Sequence, residues 1–222
     1  GMEQGPDIYE NQEIPVNAGE IDYVFVTHAH IDHSGLLPLL YAKGFRGQIF
    51  ASNATAQLCD IMLRDSAHIQ MFEAEWKNRK ARRAGLPEVV PMYDLNDVQG
   101  VMQHFVPCEY DRKITVCDEI TIRFRDAGHL LGSSFIEIWL KEEDQEIKMV
   151  FSGDLGNGNR PLLKNPEVPE SADYLVIEST YGDRMHTMPP DYTEELAKLM
   201  ARTFARGGNL VIPAFSVGRT QE

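Results

Sequence analysis

Ile21-Asp22-Tyr23-Val24-Phe25-Val26 runs through Thr27 into His28-Ala29-His30-Ile31-Asp32-His33. The first half is rich in β-branched and aromatic residues, which predicts a buried strand. Side chains alternate across a strand, so His28 and His30 point the same way where the strand geometry persists. Two imidazoles then converge on one cation. Asp32 and His33 follow as the chain turns and reach a second cation beside the first. Three His and one Asp within six residues form a ligand spacing that packing does not require. Imidazole and carboxylate suit zinc and, less selectively, manganese or iron.

Downstream, Gly35 to Lys43 reads as a short helix stopped near Gly44, and Gln48 to Ala51 as the next strand. Residues 53 to 84 read as a long amphipathic helix or a helix pair. Leu58, Ile61, Met62, Ile69, Phe72 and Trp76 supply its apolar face, and Gly85 and Pro87 close it. Its end carries Lys77, Arg79, Lys80, Arg82 and Arg83. These are a solvated helix end with favourable dipole placement, or else a phosphate-contacting arm. Trp76 and Trp139 read as packing residues, and His68 and His104 as non-ligands. From Ile114 the pattern turns to strands. Phe135 to Leu140 and Ile147 to Phe151 flank Glu142-Glu143-Asp144-Gln145, which predicts a hairpin. Tyr174 to Ile177 reads as a buried strand, Thr193 to Arg206 as a helix and Leu210 to Ile212 as a strand. The series is that of an α/β layered fold.

Composition narrows the class. Of 222 residues, 43% are hydrophobic and 25% charged, as in ordinary globular chains. No run of eighteen apolar residues exists, which argues against a membrane helix. The acidic first residues do not resemble a secretory signal. The formal charge of −13 lacks the basic footprint of a nucleic-acid binder. It does not exclude a phosphodiester substrate, because bound divalent cations reverse the local sign. Cys59, Cys108 and Cys117 form no CxxC pair, so a reducing cytoplasm is the simplest compartment.

Two further segments complete the pattern. Asp126-Ala127-Gly128-His129-Leu130-Leu131-Gly132-Ser133 places His129 after a strand and between glycines. Phe151-Ser152-Gly153-Asp154-Leu155-Gly156 does the same for Asp154. The order HxHxDH, GH, SGD resembles the metallo-β-lactamase superfamily. The resemblance implies an αββα sandwich, here incomplete, with two metals at one sheet edge. It makes His28, His30 and His129 ligands of the first metal and Asp32 and His33 ligands of the second, with Asp154 bridging. The segment Leu175-Val176-Ile177-Glu178-Ser179-Thr180-Tyr181-Gly182-Asp183 is similar to the first signature of the β-CASP branch. So is the GHLLGS form around His129. Ile212 to Glu222 resembles the strand-to-helix turn inside the β-CASP cap.

The resemblance implies a lactamase-like domain over 1–183, lacking its first strands and its C-terminal return, and the beginning of a β-CASP cap over 184–222. The chain then reads as an internal portion of a longer nuclease, and whether Gly1 is native is open. Two histidines that the branch places after the cap lie beyond Glu222, so this portion alone is expected to be weak or inactive. The implied activity is phosphodiester hydrolysis by a hydroxide activated between two zinc ions. RNA is the favoured substrate, and single-stranded DNA and a homodimer stay open. Asp32 and Asp154 would serve the nucleophile. Glu178 is the acidic motif residue, with a helix cap or salt-bridge partner as its other reading. Ser216, Gly218 and Arg219 would bind substrate phosphate, Arg219 otherwise pairing with a carboxylate. His186 is a weaker cleft candidate that also reads as surface loop. Two rival functions are a glyoxalase-type (thio)ester hydrolase and a non-catalytic scaffold of an RNA-processing complex.

Overall fold

The β-branched and aromatic run forms strand β1, Tyr23–Val26, in a computed structural model that describes residues 14–158, 160–185 and 192–221. The short helices α1, Ile31–Ser34, and α2, Leu37–Ala42, lead to β2, Gln48–Ser52. Helices α3, Asn53–Ala84, and α4, Leu95–Met102, lead to β3, Phe105–Cys108. The three strands are parallel in the order β1-β2-β3. Parallel neighbours need such crossovers, and the helices fill them. Five strands follow: β4, Lys113–Cys117; β5, Ile120–Asp126; β6, Ser134–Glu142; β7, Gln145–Phe151; and β8, Tyr174–Val176. They form a second sheet in sequence order, antiparallel except that β8 runs parallel to β7.

Alternation along β2 shows how the layers stack. Ile49 and Ala51 join a core with residues of α2, α3 and α4, whereas Phe50 joins Ile122, Phe124, Ile136 and Ile138 of the second sheet. The first sheet is therefore covered on both faces, by helices on one and by the second sheet on the other. This is the metallo-β-lactamase layering that the sequence pattern implies. The hairpin at Glu143-Asp144 forms as expected, with Glu143 at φ 52.

Residues 53 to 84 make one helix, not two. Ser52 caps it by accepting from Thr55 N at 3.1 Å, and Gly85 ends it in the left-handed region at φ 67. Its buried stripe differs from expectation. Thr55, Ala56, Cys59, Leu63, Ala67, Ala74, Asn78 and Ala81 face inward. Ile61, Ile69, Phe72 and Trp76 are exposed, so Trp76 is not a core residue. Leu58 and Met62 pack against the core as their spacing predicts, while small side chains let the rest of the helix approach its neighbours. A second correction concerns β8: Tyr174, Leu175, Val176 and Ile177 are all more than half exposed, not buried. Among the described residues the strand lies at the edge of its sheet and pairs with β7 alone.

The chain divides into two units, Gly1–Glu178 and Ser179–Glu222. In the second, helix α5, Tyr192–Phe204, has no buried residue. Leu210 to Ile212 is not a strand, and residues 216–221 form turns and not a helix start. His186 lies outside the described residues.

Candidate metal centre

Three chain segments meet at the ends of β1, β5 and β7. The first leaves β1 through Thr27, whose carbonyl accepts from Ser134 N at 2.8 Å and from Ser134 Oγ at 2.9 Å. That ties the end of β1 to the start of β6. His30 is the N-cap of α1. The Ser34 hydroxyl donates to Ala29 O at 2.9 Å and fixes the turn between strand and helix. The second segment is the loop at 127–133, where the Ser133 hydroxyl accepts from His129 N and Leu130 N, both at 3.0 Å. The third is the turn after β7. Gly153 is at φ 54, and a Cβ there would sit 2.7 Å from Thr27 Cβ. A glycine is therefore required for Asp154 to reach the histidines.

His28 Nε2 and His129 Nε2 lie 3.1 and 3.2 Å from His30 Nδ1. Asp154 Oδ2 lies 3.7 Å from His28 Nε2 and 3.4 Å from His129 Nε2. One donor atom from each of the four residues falls within 4.8 Å of every other. A tetrahedron with bonds of about 2.0–2.2 Å has edges of about 3.3–3.6 Å, so the spacings suit one small cation. The other carboxylate oxygen faces the second group. Asp154 Oδ1 is 3.3 Å from His33 Nε2, which is 3.4 Å from Asp32 Oδ2. Asp154 thus presents one oxygen to each side.

Electrostatics point the same way. Burial pushes His28 down to about 3, and His33 beside it adds to the shift. Burial also lowers His30 and His129. Three neutral imidazoles therefore aim ring nitrogens at one another, and hydrogen bonds cannot satisfy them all. Thr27 Oγ1 lies 3.1 Å from His28 Nδ1, which leaves Nε2 as the inward atom. A divalent cation satisfies all three lone pairs and the carboxylate together, so the donor set fits one. His33 behaves differently: its contact with Asp154 raises its pKa. The same contact holds the Asp154 carboxyl below its ordinary value.

The structure thus brings His28, His30, His129 and Asp154 together and sets Asp32 and His33 alongside. Glu178 accepts from Leu155 N at 2.6 Å, so its carboxylate grips the residue after Asp154. Its own N–H donates to Ser152 Oγ at 3.0 Å. Ser216, Gly218 and Arg219 belong to the second unit, where Gly218 N donates to Gln221 Oε1 at 2.7 Å. Sequence reasoning passed over Thr27, Ser133 and Ser152, which orient the ligand segments. Their one signal was adjacency to the His and Asp motifs.

Residues 5–156 match the Metallo-beta-lactamase superfamily domain. Ribonuclease TTHA0252 of Thermus thermophilus is 34% identical over 100% of this chain and 46% of its own length. Transcription termination factor FttA of Methanococcus maripaludis is 33% identical over 91% of this chain and 30% of its own. An RNase J-like protein of Methanocaldococcus jannaschii is 31% identical over 95% and 44%. The chain spans less than half the length of these relatives. With the family match covering well over half of its residues, the chain that carries this His/Asp cluster belongs to the metallo-β-lactamase superfamily, in the β-CASP branch.

Proposed function

We propose that the intact protein is a metal-dependent ribonuclease of RNA processing or decay, with zinc as its metal. One observation carries the reading: His28, His30 and His129 converge on Asp154 Oδ2 while Asp154 Oδ1 faces His33 and Asp32. Two divalent cations held there would supply Lewis acidity toward a phosphodiester oxygen and lower the pKa of water. The protein's own groups do the rest. His28, His30 and His129 hold one side, and Asp32 and His33 the other. Asp154 fixes the spacing between them. Asp32, with its side chain 56% exposed, accepts the proton of the attacking water. Glu178 is a positioning residue that holds Leu155 and through it the Asp154 turn. Of the second-unit residues, Ser216 and Arg219 contact substrate phosphate, the latter through its guanidinium. Gly218 N is already engaged by Gln221. The segment 184–222 is the beginning of the cap.

The ribonuclease and termination-factor relatives support RNA over a small ester. All three cysteines are free, which supports a reducing cytoplasm. No helix among the described residues is long and apolar enough to cross a membrane. The test is an assay of the intact, metal-loaded protein with labelled single-stranded RNA and with a thioester. RNA cleavage that stops on chelation and returns with zinc is expected. Thioester turnover without RNA cleavage favours the glyoxalase-type chemistry, and a folded protein that retains no metal favours the scaffold.

A further inference from the structure

Helix α3 begins against the metal loop and carries an unexplained stripe away from it. Ser52 Oγ and Thr55 Oγ1 donate to Gly132 O at 2.6 and 2.7 Å, three residues from His129. Phe72, Trp76, Arg79 and Arg83 follow on the exposed side at spacings of four, three and four, so they share one helix face. Ala74, Asn78 and Ala81 are the buried positions in this part of the helix. Phe72 is 65% exposed and Trp76 48%.

The charge at this end is concentrated. Lys77, Arg79, Lys80, Arg82 and Arg83 lie within seven residues without an acidic one between them, in a chain of net charge −13. Lys77 is 3.9 Å from Glu73, and Arg82 Nε donates to Glu88 at 2.7 Å. Lys80 Nζ stands 3.6 Å from the Trp76 ring centroid. Arg79 and Arg83 make no ion pair among the described residues. The C-terminal dipole explains a few cations in the last turn. It does not explain two large aromatic side chains left in water on the same face.

We propose that this face of α3 binds single-stranded RNA at a distance from the metal centre. The proposal rests on the ribonuclease reading above. Exposed aromatics with interleaved cations are what a single strand needs: rings for bases to stack on and guanidinium groups for phosphates. Arg79 and Arg83 lie 26 and 30 residues beyond Asn53, about 39–45 Å along a helix rising 1.5 Å per residue. At a stacked rise of about 3.4 Å, roughly 12 nucleotides separate Arg79 and Arg83 from the metal loop, and roughly 8 separate Phe72 from it. A short RNA at the centre does not reach it.

The experiment measures affinity and cleavage of the intact, metal-loaded protein on RNAs of about 6 and about 30 nucleotides, as a function of salt. The wild type should bind the long RNA more tightly. Arg79→Glu with Arg83→Glu should weaken long-RNA binding at least tenfold and lower its salt slope by about 1.4, at about 0.7 per single-strand contact. Trp76→Ala should cost about fivefold to a hundredfold on the same RNA. Both should leave short-RNA cleavage unchanged, and Arg79→Lys with Arg83→Lys should restore most of the affinity. Equal losses on both lengths, no loss on the long RNA, or a change of oligomeric state in place of RNA affinity would overturn the proposal. If the wild type cuts short RNA without length dependence, the distal face alone is wrong. If it neither binds nor cuts RNA, the ribonuclease reading fails and this one with it.

Discussion

Two carboxylates of this molecule sit among basic side chains, and they are balanced differently. Glu137 on β6 is fully buried between Arg123 of β5 and Lys148 of β7, each 2.5 Å from one of its oxygens. Burial alone pushes its pKa up, but the two cations outweigh that and hold it below its ordinary value. The chain supplies its own counter-charge there. Asp154 faces His28, His30 and His129, and burial lowers the pKa of all three imidazoles. His33 alone is shifted toward its protonated form. The first arrangement is electrostatically complete. The second gathers lone pairs without enough positive charge, and a bound cation is what completes it.

That contrast breaks in graded ways. The largest effect falls on the incomplete cluster. If the proposed activity holds, His30→Ala or His129→Ala should cost the intact protein at least about a thousandfold in kcat/KM, from several kcal/mol of lost metal chemistry, and elemental analysis should show less metal. Removing the metal from the wild type should lower the unfolding free energy by about 4 kcal/mol when the reference state held free metal at about a thousandfold over Kd. Calorimetry of the loaded and chelated protein reads that difference.

Glu137→Gln should do the reverse, leaving metal content alone and destabilising the fold by about 3 kcal/mol, because two cations lose their charged partner. Urea unfolding measures it. The sign of the pH dependence follows from a lowered folded pKa. The stabilisation by Glu137 is present above its unfolded value and is lost as acid takes the pH down through the folded one. The variant should therefore show a flatter stability profile at acid pH. The smallest effect is at Glu178. Glu178→Gln keeps an acceptor for Leu155 N, and about a tenfold fall in metal affinity or activity is expected from the weaker grip. Isothermal titration with zinc and single-turnover cleavage separate the two.

The metal cluster was legible because three His and one Asp coincide in one short segment after a strand. Strand geometry stops at Val26, so His28 and His30 reach one point from the loop that leads to the N-cap of α1 and not by strand alternation. His129 and Asp154 were legible only through resemblance, since a single His or Asp between glycines has many uses. The helix face was legible in part, since Leu58 and Met62 pack against the core. Apolar spacing along α3 selects Ile61, Phe72 and Trp76, yet Ala56, Ala67, Ala74 and Ala81 carry the burial. Periodicity gives an angle and not the distance at which a neighbour packs, and close packing here favours small side chains. The same blindness applies to β8, whose apolar run matches a buried strand although its outer edge has no neighbour in the sheet among the described residues. The stretch at 210–212 is equally apolar and forms no strand, because a β-branched run needs a partner to pair with.

The most direct measurement of the claim that outside cations complete the Asp154 cluster is metal stoichiometry in the intact protein. Wild type and His33→Ala would be purified with zinc and compared by elemental analysis. Close to two cations per chain are expected in the wild type and one in the variant, held on the His28, His30 and His129 side. A folded wild type that retains none, or a variant that retains as many as the wild type, contradicts it.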